Sequence, residues 1–438
     1  MARGDLTLSR DLSLALPPCG GKVEESRAVP PHNAMAQEPA KRLKICFISE
    51  TVHSGVGRHI ADSISALAER GHEIHLLYSP IRLDPQFLSA VRNRPNVYCE
   101  SLPMPREIGW RDLAVFSQIK KYVRANGPFD IIHGHSSKAG GYARLLKLFG
   151  IGPIVYTPHA FITLSPVIGW PKRFSYATIE MILAQLTNRV ICESLVEAKH
   201  ARKLKIAGDQ IVTIGNGTTA SITPPRSIVR ERLGLAEDQI AVGFVGRMDD
   251  QKAPERLIAA ARILLPEMRS LVFVMIGSGP KRQALETGLH RSGLGHRVLW
   301  LGHVDSRHYL PAFDMLAMPS LYEGFAYVPI EALHAGLPII ATPVGGVHET
   351  VEPGVNGFIV PHGAIHKLAQ AIRVLTTDQA LRRKMGEASR NHADNFSIPR
   401  MVDAMEEVYR KVIAAPAVPT SPAAMLQSSP SSSEIEAV

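Results

Sequence analysis

The stretch DMLAMPSLYEGFAYVPIEALHAGLPIIATPVGG, residues 314–346, decides the fold. DMLAMPS is a short apolar run of buried-strand type. LYEGFAYVP follows it as a loop. Pro329 suits the first turn of a helix, which Gly336 ends. LPIIATPVGG is the next strand. A strand, a helix and a strand in this order belong to a parallel sheet. Such sheets bind ligands beyond the carboxyl ends of their strands. The loop holding Glu323 and Gly324 is therefore where chemistry belongs.

Working outward, the same alternation fills most of the chain. LKICFIS, residues 43–49, begins it. EIHLLYS, NVYCESL, FDIIHGHS, PIVYTPHA, RVICES and QIVTIGN follow as strands separated by amphipathic stretches. The first helix carries Ile60, Ile64, Leu67 and Ala68 on one face and stops near Gly71. After the loop GTTASITPPRSI, residues 217–228, the pattern restarts with IAVGFVGR, LVFVMIGSG and RVLWLGHV and ends with GFIVP. The expected fold class is α/β, with two doubly wound, Rossmann-like domains facing across a cleft. Their expected limits are residues 41–222 and 223–396. A helix over 397–414 carries Met401, Val402, Met405, Val408 and Val412 on one face. Residues 1–40 and 415–438 lack periodicity, are rich in Pro, Ser and Ala, and read as disordered. Met35 is a second candidate start.

The chain has 438 residues, 45% hydrophobic and 20% charged, with a formal net charge of +9. The balance suits a globular protein with anionic partners. The one dense basic cluster, KHARKLKI at 199–206, has no nucleic-acid motif beside it and reads as a solvated helix face. No nucleic-acid partner is expected. Cys19, Cys46, Cys99 and Cys192 have neither metal-ligand nor redox spacing, as for reduced thiols. No apolar run reaches the roughly 18–20 residues that span a bilayer. A cytoplasmic location is expected.

Four loops carry candidate chemistry. Glu323 on its loop, and Glu331 in the helix's first turn, can accept hydrogen bonds from hydroxyls. The amides between them can face phosphate, and Gly324 lets a ligand approach the backbone. That set of contacts describes a nucleotide sugar. The alternative is an acid favoured by the helix dipole beside an ordinary loop acid, and spacing alone does not separate the two. In VGRMDDQKAPERLI, residues 245–258, Arg247 and Lys252 can neutralise a diphosphate and stabilise it as a leaving group. Gly55 and Gly57 form a Gly-x-Gly turn into a helix. The third glycine of a dinucleotide fingerprint would fall at Ile60, which argues against NAD. His159, in TPHAF, sits at a strand's carboxyl end, as do His133 and His135. A strand-end histidine is either a ligand contact or a structural hydrogen bonder. No His/Cys/Asp spacing indicates a transition metal.

These residues resemble glycosyltransferase family 4, retaining enzymes of GT-B architecture, from about residue 43 to 413. EGFAYVPIEALHAGLPIIATPVGGVHETV…GVNGFIV is similar to the family's Glu-seven-Glu signature, GRMDDQK to its diphosphate loop, and IVTIGNG to its interdomain element. The resemblance implies that Glu331 binds the donor ribose. It implies that Glu323, with the amides of Gly324 and Phe325, holds the transferred sugar, and that Arg247 and Lys252 hold the diphosphate. His159 would lie beside the sugar. Gly55 and Gly57 would face the phosphates and acceptor, and Val304 would line the donor site. His159, Glu323, Arg247 and Lys252 form the implied catalytic set, with no cofactor and no metal. The last helix would cross back to the first domain. Gly215, Ala326, Val56 and Ala253 depart from the family pattern, but no charged donor residue is missing.

The amino-terminal half is left for the acceptor. ITLSPVIGWPKRFSY places Trp170 beside Lys172 and Arg173, a composition suited to anionic headgroups. The expectation is a retaining hexosyltransferase acting from a UDP- or GDP-sugar on a glycan acceptor. A lipid-linked oligosaccharide at the inner face of the plasma membrane is the candidate, in exopolysaccharide or lipopolysaccharide synthesis. The alternatives are a Trp170 packed on a helix in an ordinary acceptor loop, and a non-catalytic GT-B partner subunit that binds nucleotide or glycan. A hydrolase or epimerase on a related fold is a weaker third.

Overall fold

The computed structural model describes residues 41–105, 107–166, 168–220 and 223–415. The expectations for residues 1–40 and for the tail after 415 lie outside them. Two parallel sheets organise the described chain. The first contains β1 (Lys44–Ser49), β2 (Glu73–Tyr78), β3 (Val97–Ser101), β4 (Ile131–His135), β5 (Ile154–Thr157), β6 (Arg189–Cys192) and β7 (Ile211–Thr213). The second contains β8 (Ile240–Val245), β9 (Leu271–Ile276), β10 (Val298–Gly302), β11 (Met315–Met318), β12 (Ile339–Ala341) and β13 (Gly357–Ile359). Their orders are β3-β2-β1-β4-β5-β6-β7 and β10-β9-β8-β11-β12-β13. The order reverses beside β1 and beside β8, which opens a crevice at each reversal.

The strands read as unbroken apolar runs because both faces of each sheet are covered. β9 shows this residue by residue. Leu271, Phe273 and Met275 enter the core shared with the helices Pro254–Leu264 and Ile365–Thr377. Val272, Val274 and Ile276 enter the core on the other face with Phe313, Ile330 and Leu333. A period of two therefore divides one run between two cores.

The last helix, Ile398–Ala414, starts from Ser397, whose hydroxyl accepts from the Arg400 amide. Its buried residues are Met401, Val402, Met405, Val408, Tyr409 and Val412. They pack into the first lobe's core with Ile45, Ile60 and Ile64. Each such apolar side chain gains about 1.5–3 kcal/mol from burial, so this last described helix is fixed to the first lobe. Tyr409 reaches furthest, with its hydroxyl 2.7 Å from His133 Nδ1. Among the described residues no helix is long and apolar enough to cross a membrane.

Candidate functional site

The β11–β12 unit places the opening stretch at the crevice of the second lobe. Its helix spans Tyr327–Ala335 and ends at Gly336 in the left-handed conformation. It begins two residues before Pro329, which is its third residue, and Glu331 lies just past the first turn. Pro329 is tolerated there because the first four amides of a helix have no intrahelical acceptor. Gly55 and Gly57 also lie inside a helix, Ser54–Glu69, and not in a loop before it. A Cβ on Gly57 would sit 2.5 Å from Val52 O. That close approach requires glycine.

Lys252 and Glu323 meet. Lys252 Nζ is 2.7 Å from Glu323 Oε1, with the side chains 19% and 7% exposed. Gln251 Nε2 lies 3.5 Å from the other carboxylate oxygen. The loop holding Lys252 turns through Ala253 at φ 48°, a conformation that favours glycine. Arg247 is 63% exposed and pairs with Asp249 on its own loop, away from the Lys252–Glu323 contact. Val304 lies two residues beyond β10 and packs partly buried on the second lobe's core. Phe325 is buried, and its carbonyl accepts from Asn216 Nδ2 at 2.9 Å. Gly215 faces the Phe325 ring, where a Cβ would come within 2.9 Å. Any Cβ at 215 would press on this ring, so the glycine leaves it room.

The two lobes touch across the crevice. Arg58 of the first lobe forms an ion pair with Glu331. It also donates to Thr218 Oγ1 at 2.6 Å and lies 4.3 Å over the Tyr327 ring. Ser306 Oγ donates to the other oxygen of Glu331 at 3.2 Å. A Cβ on Gly324 would come within 3.0 Å of Ala160 N and 3.1 Å of Glu193 Oε2. Glycine at 324 thus lets the second lobe meet the loop after β5. A cavity of about 700 Å³ opens beside Glu331 toward Arg307, Arg383 and Arg390. It reaches neither Glu323 nor Lys252.

His159 sits in that loop at φ 55°, followed by Ala160 at φ 73°. The carboxylate of Glu197 holds the turn by accepting from the amides of Ala160 and Glu193, each at 2.7 Å. Both ring nitrogens of His159 are engaged. Nδ1 donates to Glu193 Oε1 at 2.8 Å, and Nε2 lies 3.0 Å from His135 Nδ1. His59 Nδ1 lies 2.8 Å from Asn216 Oδ1. Burial, then the neighbouring His159, pushes the His59 imidazole down to about 4. Burial first, and then adjacent histidines, hold His133 and His135 well below the ordinary range. Burial works to raise Glu193, but His159 and His59 hold it below the usual carboxylate value. Burial and the nearby Glu193 charge push Glu197 up to about 8.

Comparison with known proteins settles the family. The model for Glycosyltransferase Family 4 matches residues 53–221, and that for Glycosyl transferases group 1 matches residues 225–392. A D-inositol 3-phosphate glycosyltransferase of Salinispora arenicola is 30% identical over 321 residues, covering 67% of this chain and 71% of that protein. The chain belongs to this glycosyltransferase family. An "uncharacterized 41.2 kDa protein in cps region" of Klebsiella pneumoniae is 27% identical over 386 residues, 84% of this glycosyltransferase and 99% of that protein. The crystal structure of HepE from Anabaena in complex with UDP aligns with a TM-score of 0.73 at 21% identity, over 84% of this chain and all of that one. The fold is GT-B.

Sequence reasoning missed several residues of this glycosyltransferase's crevice. Arg58, His59, Glu193 and Glu197 stand in no motif that marks them, and Asn216 was read only as part of the interdomain element. Glu197 offered a weak signal: with Ser194 it forms the start of a capping box, and Ser194 Oγ does accept from the Glu197 amide. The predicted set divides by lobe. Lys252, Glu323, Gly324 and Phe325 are together in the second, with Glu331 one helical turn away and Arg247 paired to Asp249 on its own loop. His159 and Gly55 belong to the first and approach across the crevice.

Proposed function

We propose that this chain transfers a hexosyl unit, with retention of anomeric configuration, from a UDP- or GDP-sugar to a glycan acceptor in surface polysaccharide synthesis. One observation carries the reading: the buried Lys252–Glu323 pair at the β11 crevice, with Gly324 beside it meeting the His159 loop. Donor binding would replace the chain's own pairings. Sugar hydroxyls would donate to Glu323, releasing Lys252 toward the diphosphate with Arg247. Ribose hydroxyls would donate to Glu331 in place of Arg58. The cations would then stabilise charge on the departing diphosphate as the glycosidic bond breaks. No metal is assigned to this step. UDP in HepE favours a uridine donor, and the cps-region relative favours a surface glycan.

The acceptor side carries a basic and aromatic surface. Trp170 and Phe174 are 77% and 67% exposed on the helix Trp170–Ala184, beside exposed Lys172 and Arg173. This face supports peripheral membrane contact and a lipid-linked acceptor. Flotation with anionic vesicles tests it, and no binding with or without anionic lipid overturns it. For the donor, a panel of UDP- and GDP-sugars is screened for protection against thermal unfolding. One donor should raise the midpoint, and release its nucleotide when acceptor is present. No protection by any donor would overturn the reading.

A further inference from the structure

The cavity beside Glu331 follows one face of the helix Tyr327–Ala335 to its end at Gly336. Glu331, His334 and Ala335 mark that face at helical spacing. The helix Gln379–Ala393 forms another wall. Two glycines let these helices meet. A Cβ on Gly386 would collide with the Gly336 carbonyl, and one on Gly336 with the Arg390 guanidinium. The close approach of the two backbones thus fixes where Arg390 stands. At about 700 Å³, the cavity lies in the range that takes small molecules, about 300–1,000 Å³.

Five arginines line it against three acids, Asp314, Glu331 and Glu387. The acids leave positive charge over. Glu331 is already paired with Arg58, which lies outside the cavity. Arg226 pairs with Asp314 at 2.8 Å, and Arg307 with Asp305 at 2.7 Å. Arg382 donates to the carbonyls of Leu375 and Thr376. Among the described residues, Arg383 and Arg390 have neither an acidic nor a hydrogen-bond partner. They stand on one face of their helix, two turns apart. Gln379 and Arg382 bring the positive end of the same helix to the cavity. On the opposite wall, His334 Nε2 is buried with no hydrogen-bond partner, which calls for an explanation. Burial holds that imidazole below its ordinary value, against the pull of Asp394 and Glu331. A neutral ring suits an uncharged hydroxyl.

We propose that this cavity binds a phosphorylated sugar, at a site separate from the donor crevice. The phosphate is held by Arg383 and Arg390, and the hydroxyls by His334 and Glu387. Arginine forks match phosphate oxygens. An imidazole and a carboxylate exchange hydrogen bonds with sugar hydroxyls. Occupancy would reach the crevice through two residues of the cavity wall, Glu331 and Thr218, because both are held by Arg58. The ligand is then an effector that shifts the affinity for donor. Binding at the cavity stands without the transfer reading; the shift in donor affinity rests on it.

The test titrates the full chain by calorimetry with glucose 6-phosphate, glucose 1-phosphate, inorganic phosphate and UDP in separate arms. One sugar phosphate should bind at one equivalent per chain, and still bind when UDP is saturating. Inorganic phosphate should bind about 10-fold more weakly or worse. Arg383→Gln and Arg390→Gln should each weaken the sugar phosphate by about 10–100-fold and leave UDP binding in place. His334→Phe should weaken the sugar phosphate and not inorganic phosphate. Arg373→Gln, outside the cavity and paired with Glu267, should change nothing. Near-UV circular dichroism checks that each variant folds. Absent turnover with these affinities intact would count against the transfer reading alone. No binding of either sugar phosphate overturns the site. So does equal affinity for inorganic phosphate, or UDP binding that competes with the sugar phosphate and falls in Arg383→Gln.

Discussion

Removing Lys252 does two separable things, and a double-mutant cycle distinguishes them. Lys252→Met leaves the Glu323 carboxylate, 7% exposed, with only Gln251 Nε2 at 3.5 Å. Breaking a fully buried pair costs about 3–5 kcal/mol. Lys252 is 19% exposed, so water can compensate in part, and about 1–3 kcal/mol of stability should be lost. Glu323→Gln in the same chain removes the stranded charge, and the double variant should recover at least half of that loss. Activity should behave differently. Losing one group that stabilises developing charge lowers kcat by about 10²–10³, equivalent to about 2.7–4 kcal/mol. The double variant also loses the acceptor for the sugar hydroxyls, so its rate should stay down. Urea unfolding supplies the stabilities and nucleotide release the rates. If rate and stability recover together in the double variant, Lys252 is only a structural partner of Glu323.

Gly324→Ala should lower transfer about 10-fold or more, because its Cβ would press on Ala160 N and Glu193 Oε2; unchanged rates would show that the lobes need not approach there. Arg58→Met should cost about 1–3 kcal/mol by stranding the Glu331 carboxylate, and saturating nucleoside diphosphate should restore part of it in thermal unfolding. Stability should fall as pH drops from about 6.5 toward 4. His59, pushed down to about 4 in the fold, binds fewer protons than the unfolded chain across that window, so its contribution is complete above 6.5 and lost as pH falls through 4. His133 and His135 shift in the same direction. Urea midpoints that stay flat between pH 6.5 and 4.5 would contradict this.

What the sequence shows depends on how local the physics is. The runs at β8 and β9 are legible because burial on both faces leaves no polar interruption. The last helix is legible from its apolar face, although Tyr409 was missed because its partner, His133, is far away in sequence. Helix starts were displaced. Ser54 begins its helix at φ 53° with no side-chain cap, and the Tyr327 helix starts from Ala326 without one. Neither start carries the usual signal. In the crevice, Lys252 and Glu323 were readable because each stands in a loop at a strand's end. His135 and His159 were readable as strand-end histidines, but Glu193, His59 and the contacts among them were not, because only the parallel sheet order brings their elements together.

The central claim is that a sugar is moved from a nucleotide donor by the Glu323–Lys252 crevice with its configuration kept. The most direct measurement follows the anomeric protons of donor and product by NMR during turnover, for the native chain and for Glu323→Ala. The expected result is donor consumption with a product of the donor's own anomeric configuration, and none with the variant. An inverted product, or equal turnover by a folded Glu323→Ala chain, would contradict the account.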